Sequence, residues 1–169
     1  MTFAAFLIYS NDSLWRPILS ALRMPDHVRQ TPEAVERLLE STLESVDSAE
    51  ELALGMATRA GIDEDELMKI GMAVRESMAN AVVHGNRYNA NKKVRFSVAA
   101  GPDCFTIQIA DEGEGFDFTA LPDPLAPENL MKTSGRGIFL MRSLMDDFQI
   151  RQLESGGIEV TLIKNLVSK

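Results

Sequence analysis

Three polar side chains, Glu76, Asn80 and His84, recur at intervals of four residues in the stretch RESMANAVVHGN, residues 75–86. On a helix this spacing places all three along one side of an otherwise apolar surface. An asparagine oxygen suits Mg²⁺, and a glutamate one turn earlier can polarise a hydroxyl group or a water molecule. His84 can cap the helix end or line the same site, and the whole stripe can also be a solvated face.

A first glycine cluster, DEGEGF at residues 111–116, follows a predicted strand directly. Asp111 can there accept a hydrogen bond from an exocyclic amine such as that of adenine. Gly113 and Gly115 would let the backbone lie close to a flat ring, because a glycine has no side chain to hold it away. The alternative interpretation is a tight turn that needs glycines for its backbone angles.

A second cluster, SGRGIFLMRSLMDD, opens a predicted helix with two glycines. Free N–H groups at a helix N-terminus attract anions, and Arg136 can add a charge-assisted contact to a phosphate group. A loop-to-helix junction with a solvent-exposed arginine is the alternative. Walker A, dinucleotide-binding, eukaryotic-type kinase and serine-hydrolase motifs do not occur in the sequence.

The surrounding sequence predicts the elements that position these residues. We expect helices over residues 47–61 (capped by Asp47 or Ser48), 63–85 and 137–148, hairpins over 93–111 and 148–164, and a strand or helix over 37–46. Three prolines predict a loop over 117–134. This mixture predicts an α+β fold, a two-layer α/β sandwich with helices on one face of a mixed, mostly antiparallel sheet.

Composition limits the classes of partner. The chain has 169 residues, 45% of them hydrophobic, which is enough for one domain with a core; we assign that domain to residues 36–169 and an N-terminal extension to 1–35. A net charge of −8 argues against general binding to nucleic acid or anionic lipid. Because the sequence has no membrane-length apolar run and only a poor signal-peptide pattern, we expect a cytoplasmic protein with no membrane or direct nucleic-acid partner.

The order of the three motifs along the chain is more informative than any one motif alone. Glu-x-x-x-Asn on a helix, Asp-x-Gly-x-Gly after a strand and Gly-x-Gly opening a helix resemble the N, G1 and G2 boxes of the GHKL (Bergerat-fold, histidine-kinase-like) ATPase superfamily. The resemblance covers about residues 36–165. The chain is most similar to the small anti-sigma factor serine/threonine kinases, because DPLAPENLMKTSGRGIFLMRSLMDD resembles their lid and following helix. We expect no helix with a phospho-accepting histidine in residues 1–35, because His27 stands in the loop-like context MPDHVRQTP.

That resemblance implies a role for each motif residue, with ATP and Mg²⁺ as cofactors. It makes Glu76 the general base toward a serine hydroxyl, Asn80 the Mg²⁺ ligand and Asp111 the reader of the adenine amino group. The remaining assignments are Gly113 and Gly115 against the base, Gly135, Arg136 and Gly137 on the β- and γ-phosphates with Lys132 in support, and residues 117–134 as the lid. One position departs from many relatives: Ile158 stands where they have a threonine, and Thr161 follows three residues later.

The resemblance also implies partners. The substrate would be an anti-sigma-factor antagonist, phosphorylated on a serine, and the second partner a sigma factor held by partner switching, with the chain as a homodimer. Two other functions remain open from the residues: a nucleotide-dependent protein-binding module without catalysis, and a detached ATPase domain of a sensor histidine kinase.

Overall fold

A computed structural model of the protein describes residues 33–115 and 136–166. In chain order the elements are β1 (Glu33–Glu40), α1 (Leu43–Arg59), α2 (Glu64–Ala79), a π-helical turn (Asn80–Gly85), β2 (Lys93–Ala100), β3 (Cys104–Ala110), α3 (Arg136–Leu144), β4 (Asp147–Gln152) and β5 (Ile158–Asn165). They form the predicted two-layer α+β fold. None of the helices in the described ranges is long and apolar enough to cross a membrane.

The five strands form one sheet in the order β1-β2-β3-β5-β4, and every neighbouring pair in it is antiparallel. Alternate residues of the central strands, such as Phe96 in β2 and Ile107 in β3, are fully buried. Because successive strand residues point to opposite faces, this alternation marks one face as the core face. Apolar residues of all three helices belong to the same buried cluster, so the helices cover that face.

The sheet brings Asp111 to the helix layer. β3 is the central strand of the sheet and ends at Ala110. The next residue, Asp111, therefore lies in the middle of the side of the sheet that is formed by strand ends. The two predicted hairpins are confirmed, with β2 paired to β3 and β4 paired to β5. The predicted helix end at Gly85 is also confirmed.

The start of α1 was predicted wrongly. The segment 37–46 is divided: β1 ends at Glu40 and α1 begins at Leu43, with Thr42 as its N-cap residue in place of Asp47 or Ser48. The physical reason is burial, because Val46 is only 4% exposed and belongs to the core cluster.

The end of α3 also differs from the prediction. The helix ends at Leu144, and Phe148 lies on β4, where it pairs with Leu162. Asp146 turns the chain: its backbone N–H donates to Ile163 O at 3.0 Å and its carboxylate accepts from Asn165 N at 2.7 Å. These bonds to β5 end the helix and start the last hairpin. The loop predicted for 117–134 lies outside the described residues.

Candidate functional site

A pocket of about 450 Å³ lies between the helix layer and one edge of the sheet. Its polar side chains include Glu76, Asn80 and Asp111, and its apolar lining is Ile109, Ile138, Met141, Ile150, Ile158 and Val160. An apolar cavity of this size with a few placed polar groups is typical of a small-molecule site.

Glu76 and Asn80 occupy one side of the pocket, both half-buried. Asn80 Nδ2 donates to Glu76 Oε1 at 3.4 Å, so the asparagine nitrogen is turned toward the carboxylate and its oxygen is the atom left for a cation. This arrangement fits Mg²⁺, which takes oxygen ligands and commonly uses one or two protein groups together with substrate phosphates. A Cβ atom on Gly137 would overlap Glu76 Oε1, so the first turn of α3 lies directly against the carboxylate.

Asp111 is a buried carboxyl in the pocket lining, at 7% exposure. Its Oδ1 atom accepts from Gly113 N at 2.8 Å and from Ile158 N at 3.3 Å. Burial raises the pKa of this carboxyl, and the two backbone N–H groups only partly oppose that rise. Within the described residues Oδ2 accepts no hydrogen bond, so it is the atom available to a ligand amine.

A π-helical turn brings Gly85 against Asp111. The wider turn is fixed by the bond from Asn86 N to Ala81 O at 2.8 Å, five residues back. Such turns within α-helices are frequent at functional sites, because they displace the residues that follow. Cβ atoms on Gly85 and Gly157 would overlap Asp111, and one on Gly113 would lie 2.5 Å from Gly85 O. Three glycines therefore enclose this one carboxylate.

Gly157→Ala should show how tightly this enclosure is packed. Gly157 and Gly61 both have positive φ, +76° and +79°, but a Cβ on Gly157 would overlap Asp111 O whereas one on Gly61 meets nothing within 4 Å. Both alanine variants carry the left-handed backbone penalty of roughly 1–2 kcal/mol. Gly157→Ala should lose a further ~1–3 kcal/mol through overpacking. Urea unfolding of the two variants measures the difference. Equal losses of unfolding free energy would show that the residues around Asp111 can move to accommodate the added Cβ atom.

A buried asparagine, Asn86, connects the segment that follows Asp111 to the sheet through hydrogen bonds. It is 1% exposed. Its Nδ2 donates to Ser41 Oγ and to Lys93 O, both at 2.9 Å, and its Oδ1 accepts from Glu112 N at 2.8 Å. Since Glu112 is the residue after Asp111, this side chain fixes the backbone that presents the carboxylate to the pocket.

Asn86→Ala should lower the free energy of unfolding by about 2–4 kcal/mol, because it removes a buried bond to Ser41 Oγ and leaves the part-buried N–H of Glu112 and C=O of Lys93 without the partner they have now. Asn89 provides a matched control: it is exposed, and among the described residues its side chain has a single hydrogen bond, accepted from Asn91 N. Asn89→Ala should cost less than about 1 kcal/mol. The comparison uses thermal or urea unfolding. Similar losses for the two variants would contradict the role given to Asn86.

The structure brings five of the predicted site residues to the pocket wall: Glu76, Asn80, Asp111, Gly115 and Gly137. His84, which the sequence left open, also lines it. Gly113 is buried behind Asp111, where its missing side chain makes room for Gly85 rather than for a ligand. The backbone of Arg136 begins α3. Lys132 and Gly135 lie outside the described residues.

Sequence reasoning missed Gly85, Gly157 and Asn86 as parts of the site. Their signals were a Gly-Asn pair at the end of the polar stripe and a double glycine before the last strand, which were taken only as a helix end and a turn. Ile158 completes the set, since its backbone exchanges two hydrogen bonds with Asp111. Thr161, three residues further along β5, lies on the opposite face of that strand.

Comparison with known proteins agrees with this geometry. Residues 39–164 match the model of the histidine kinase-like ATPase domain family. The chain is 28% identical over 144 residues to the serine-protein kinase RsbW of Staphylococcus epidermidis, covering 81% of this chain and 89% of that protein. It is 31% identical over 118 residues to the protein of that name from Bacillus subtilis strain 168 (66% and 72% covered) and 33% over 120 residues to that from Bacillus licheniformis (66% and 72%).

Proposed function

This chain belongs to the histidine kinase-like ATPase domain family, and we propose that it is an ATP-dependent serine-protein kinase that phosphorylates an anti-sigma-factor antagonist and holds a sigma factor in turn. The observation that carries the proposal is the convergence of Glu76, Asn80, Asp111 and Gly137 on one pocket. The similarity to proteins named serine-protein kinase supports transfer to serine.

We assign the adenine to the deep, apolar end of the pocket. Oδ2 of Asp111 would accept a hydrogen bond from the exocyclic amine, and Ile109, Ile158 and Met141 of the pocket lining would contact the faces of the ring. The carboxylate must be ionised to accept that bond. The two N–H groups that Oδ1 binds favour the ionised form, against the burial that raises the pKa of this carboxyl.

The phosphates would extend toward Asn80 and the start of α3. The net charge of −8 means that positive potential must be supplied locally. Asn80 would hold Mg²⁺, which neutralises phosphate charge when bound, and the N–H groups around Gly137 would face the phosphate oxygens. Lys132, Gly135 and the Arg136 side chain belong to this proposal on resemblance alone, as does a lid over residues 117–134.

Glu76 would act as the general base. It accepts the proton of the serine hydroxyl as that oxygen bonds to the γ-phosphorus, the bond from that phosphorus to the bridging oxygen breaks, and ADP leaves. Phosphoryl transfer depends mainly on such positioning and on charge neutralisation. The catalytic unit would be residues 36–169 together with the first three residues of β1, Glu33–Val35, which the sequence had assigned to the extension of residues 1–35. The sigma-factor partner implies a reaction in the cytoplasm, and by resemblance we propose a homodimer.

The test is incubation with Mg²⁺, γ-labelled ATP and each purified antagonist domain of the source organism. We expect label on one antagonist that survives acid treatment, as phosphoserine does, and that disappears when the acceptor serine is replaced by alanine. Acid-labile label would indicate transfer to histidine, as in a detached histidine-kinase domain. ATP binding without any transfer would indicate a non-catalytic binding module. Either outcome would contradict the proposal.

A further inference from the structure

The ridge of α2 that carries the proposed chemistry continues outward from the pocket. Residues four apart on this helix form a row, which runs Glu64, Met68, Met72, Glu76 and then Asn80. The two methionines are large apolar side chains that face solvent, at 65% and 45% exposure. Nothing in the core of the domain requires them, since the core cluster of the described residues uses other positions of α2.

Two exposed apolar residues of α3, Phe139 and Leu140, lie two and three residues after Gly137, which contacts Glu76. They are 40% and 37% exposed. Four of the seven exposed large hydrophobic residues in the described parts of the chain therefore lie on the two helices that meet at Glu76. We call Met68, Met72, Phe139 and Leu140 the methionine patch.

We propose that the methionine patch is the surface on which the protein that accepts the phosphate docks. This inference rests on the proposed function, because it concerns the acceptor of that same site. It assigns a partner to a surface that catalysis does not use.

The first argument is the distance between Glu76 and the methionines. An acceptor hydroxyl must come within about 3 Å of Glu76 to give up its proton. Met72 and Met68 lie one and two steps of the ridge from Glu76, toward the N-terminus of α2. These steps correspond to roughly 6 and 12 Å along the helix axis. A protein interface of standard size covers about 800 Å² on each partner, which corresponds to a disc of about 16 Å radius. A folded acceptor centred on Glu76 thus covers both methionines.

The second argument is chemistry. Methionine side chains are flexible and polarizable, and they adapt to the shape of an apolar partner. The patch has no charged member, so the matching face of the acceptor should be apolar around its serine. Glu64 and Asp65, at the outer end of the ridge, are exposed, and neither forms a salt bridge with any described residue. They favour an acceptor with a cationic group at that rim.

The test compares Met72→Lys and Met68→Lys with Leu38→Lys. Leu38 is a matched control, because it is 69% exposed and lies on the edge strand β1. The acceptor is the antagonist domain that the wild-type chain phosphorylates. Each methionine variant should raise KM for that antagonist by about 5- to 30-fold, as loss of an interface hot spot does. Met72→Ala should show a smaller rise. Affinity for MgATP and the Leu38→Lys kinetics should stay within about twofold of wild type.

Several outcomes would overturn the docking surface. Unchanged KM in both methionine variants, while the wild-type chain transfers phosphate, would remove it and leave the kinase function intact. A parallel loss of MgATP affinity would assign the patch to nucleotide closure. If light scattering showed that the variants dissociate a dimer, the patch would be an interface between copies. A wild-type chain that phosphorylates no antagonist would refute the proposed function itself, and the docking surface with it.

Discussion

Glu76→Gln should lower the rate of serine phosphorylation by about 10²- to 10⁴-fold, the usual contribution of a positioned general base. Glutamine keeps the length and shape of the side chain, so the contact with Gly137 and the bond to Asn80 can persist. It cannot take up the proton of the acceptor hydroxyl. The affinity for MgATP should therefore change little, and the loss should appear in the initial rate of label transfer.

Glu51→Gln is the control for this experiment, because Glu51 is an exposed carboxylate on α1 that does not line the pocket. Its transfer rate should equal that of the wild-type chain. If Glu76→Gln transferred phosphate at a rate near wild type, Glu76 would not be the base. If it lost MgATP binding as well, the residue would act in binding rather than in proton transfer.

Asp111→Asn should weaken ATP binding by roughly 10- to 100-fold, which corresponds to the loss of one hydrogen bond to a charged group. The asparagine oxygen would stay on the N–H groups of Gly113 and Ile158, which now hold Oδ1. The amide nitrogen would then face the adenine amine, and two donors would meet where a donor and an acceptor met before. Calorimetric titration with MgATP measures the change.

The nucleotide base provides a second readout for the same variant. Guanine has a carbonyl oxygen where adenine has its amine, so Asp111→Asn should lose its preference for ATP over GTP. Asp103→Asn, in the exposed turn between β2 and β3, should keep both the affinity and the preference. An Asp111→Asn protein that binds and discriminates like the wild type would refute the assignment of the adenine end.

The elements that carry the site were predictable because their signals are local. The four-residue spacing of Glu76 and Asn80, and the aspartate directly after an alternating strand, depend on the geometry of one helix and one strand. The hairpins could be predicted equally well, because turn residues mark them in the sequence. Sequence alone therefore predicted the fold class and five of the residues that line the pocket, whereas most of its apolar lining was not predicted.

The tight packing behind Asp111 could not be predicted in the same way, because it is made of contacts between distant segments. Gly85, Gly113 and Gly157 come from three separate turns, and only the folded sheet brings them to one carboxylate. A uniform rotation of 100° per residue also fails at the π-helical turn, which begins at Asn80. The network of Asn86 spans 45 residues to Ser41, a pairing without any periodic signal.

Element ends were misplaced where burial competed with local preference. Asp47 and Ser48 are good capping residues, yet the helix starts earlier because Val46 is buried against the sheet. Phe148 continues the apolar spacing of α3, yet it lies on strand β4 and pairs with β5. In both places tertiary contacts decided between two locally acceptable structures.

The most direct test of the account is calorimetric titration of the folded chain with MgATP, beside the same titration with MgGTP. We expect saturable binding of about one ATP per chain, with weaker binding of GTP. A folded chain that shows neither heat nor saturation with MgATP would contradict the nucleotide pocket, and with it the kinase assigned to this protein.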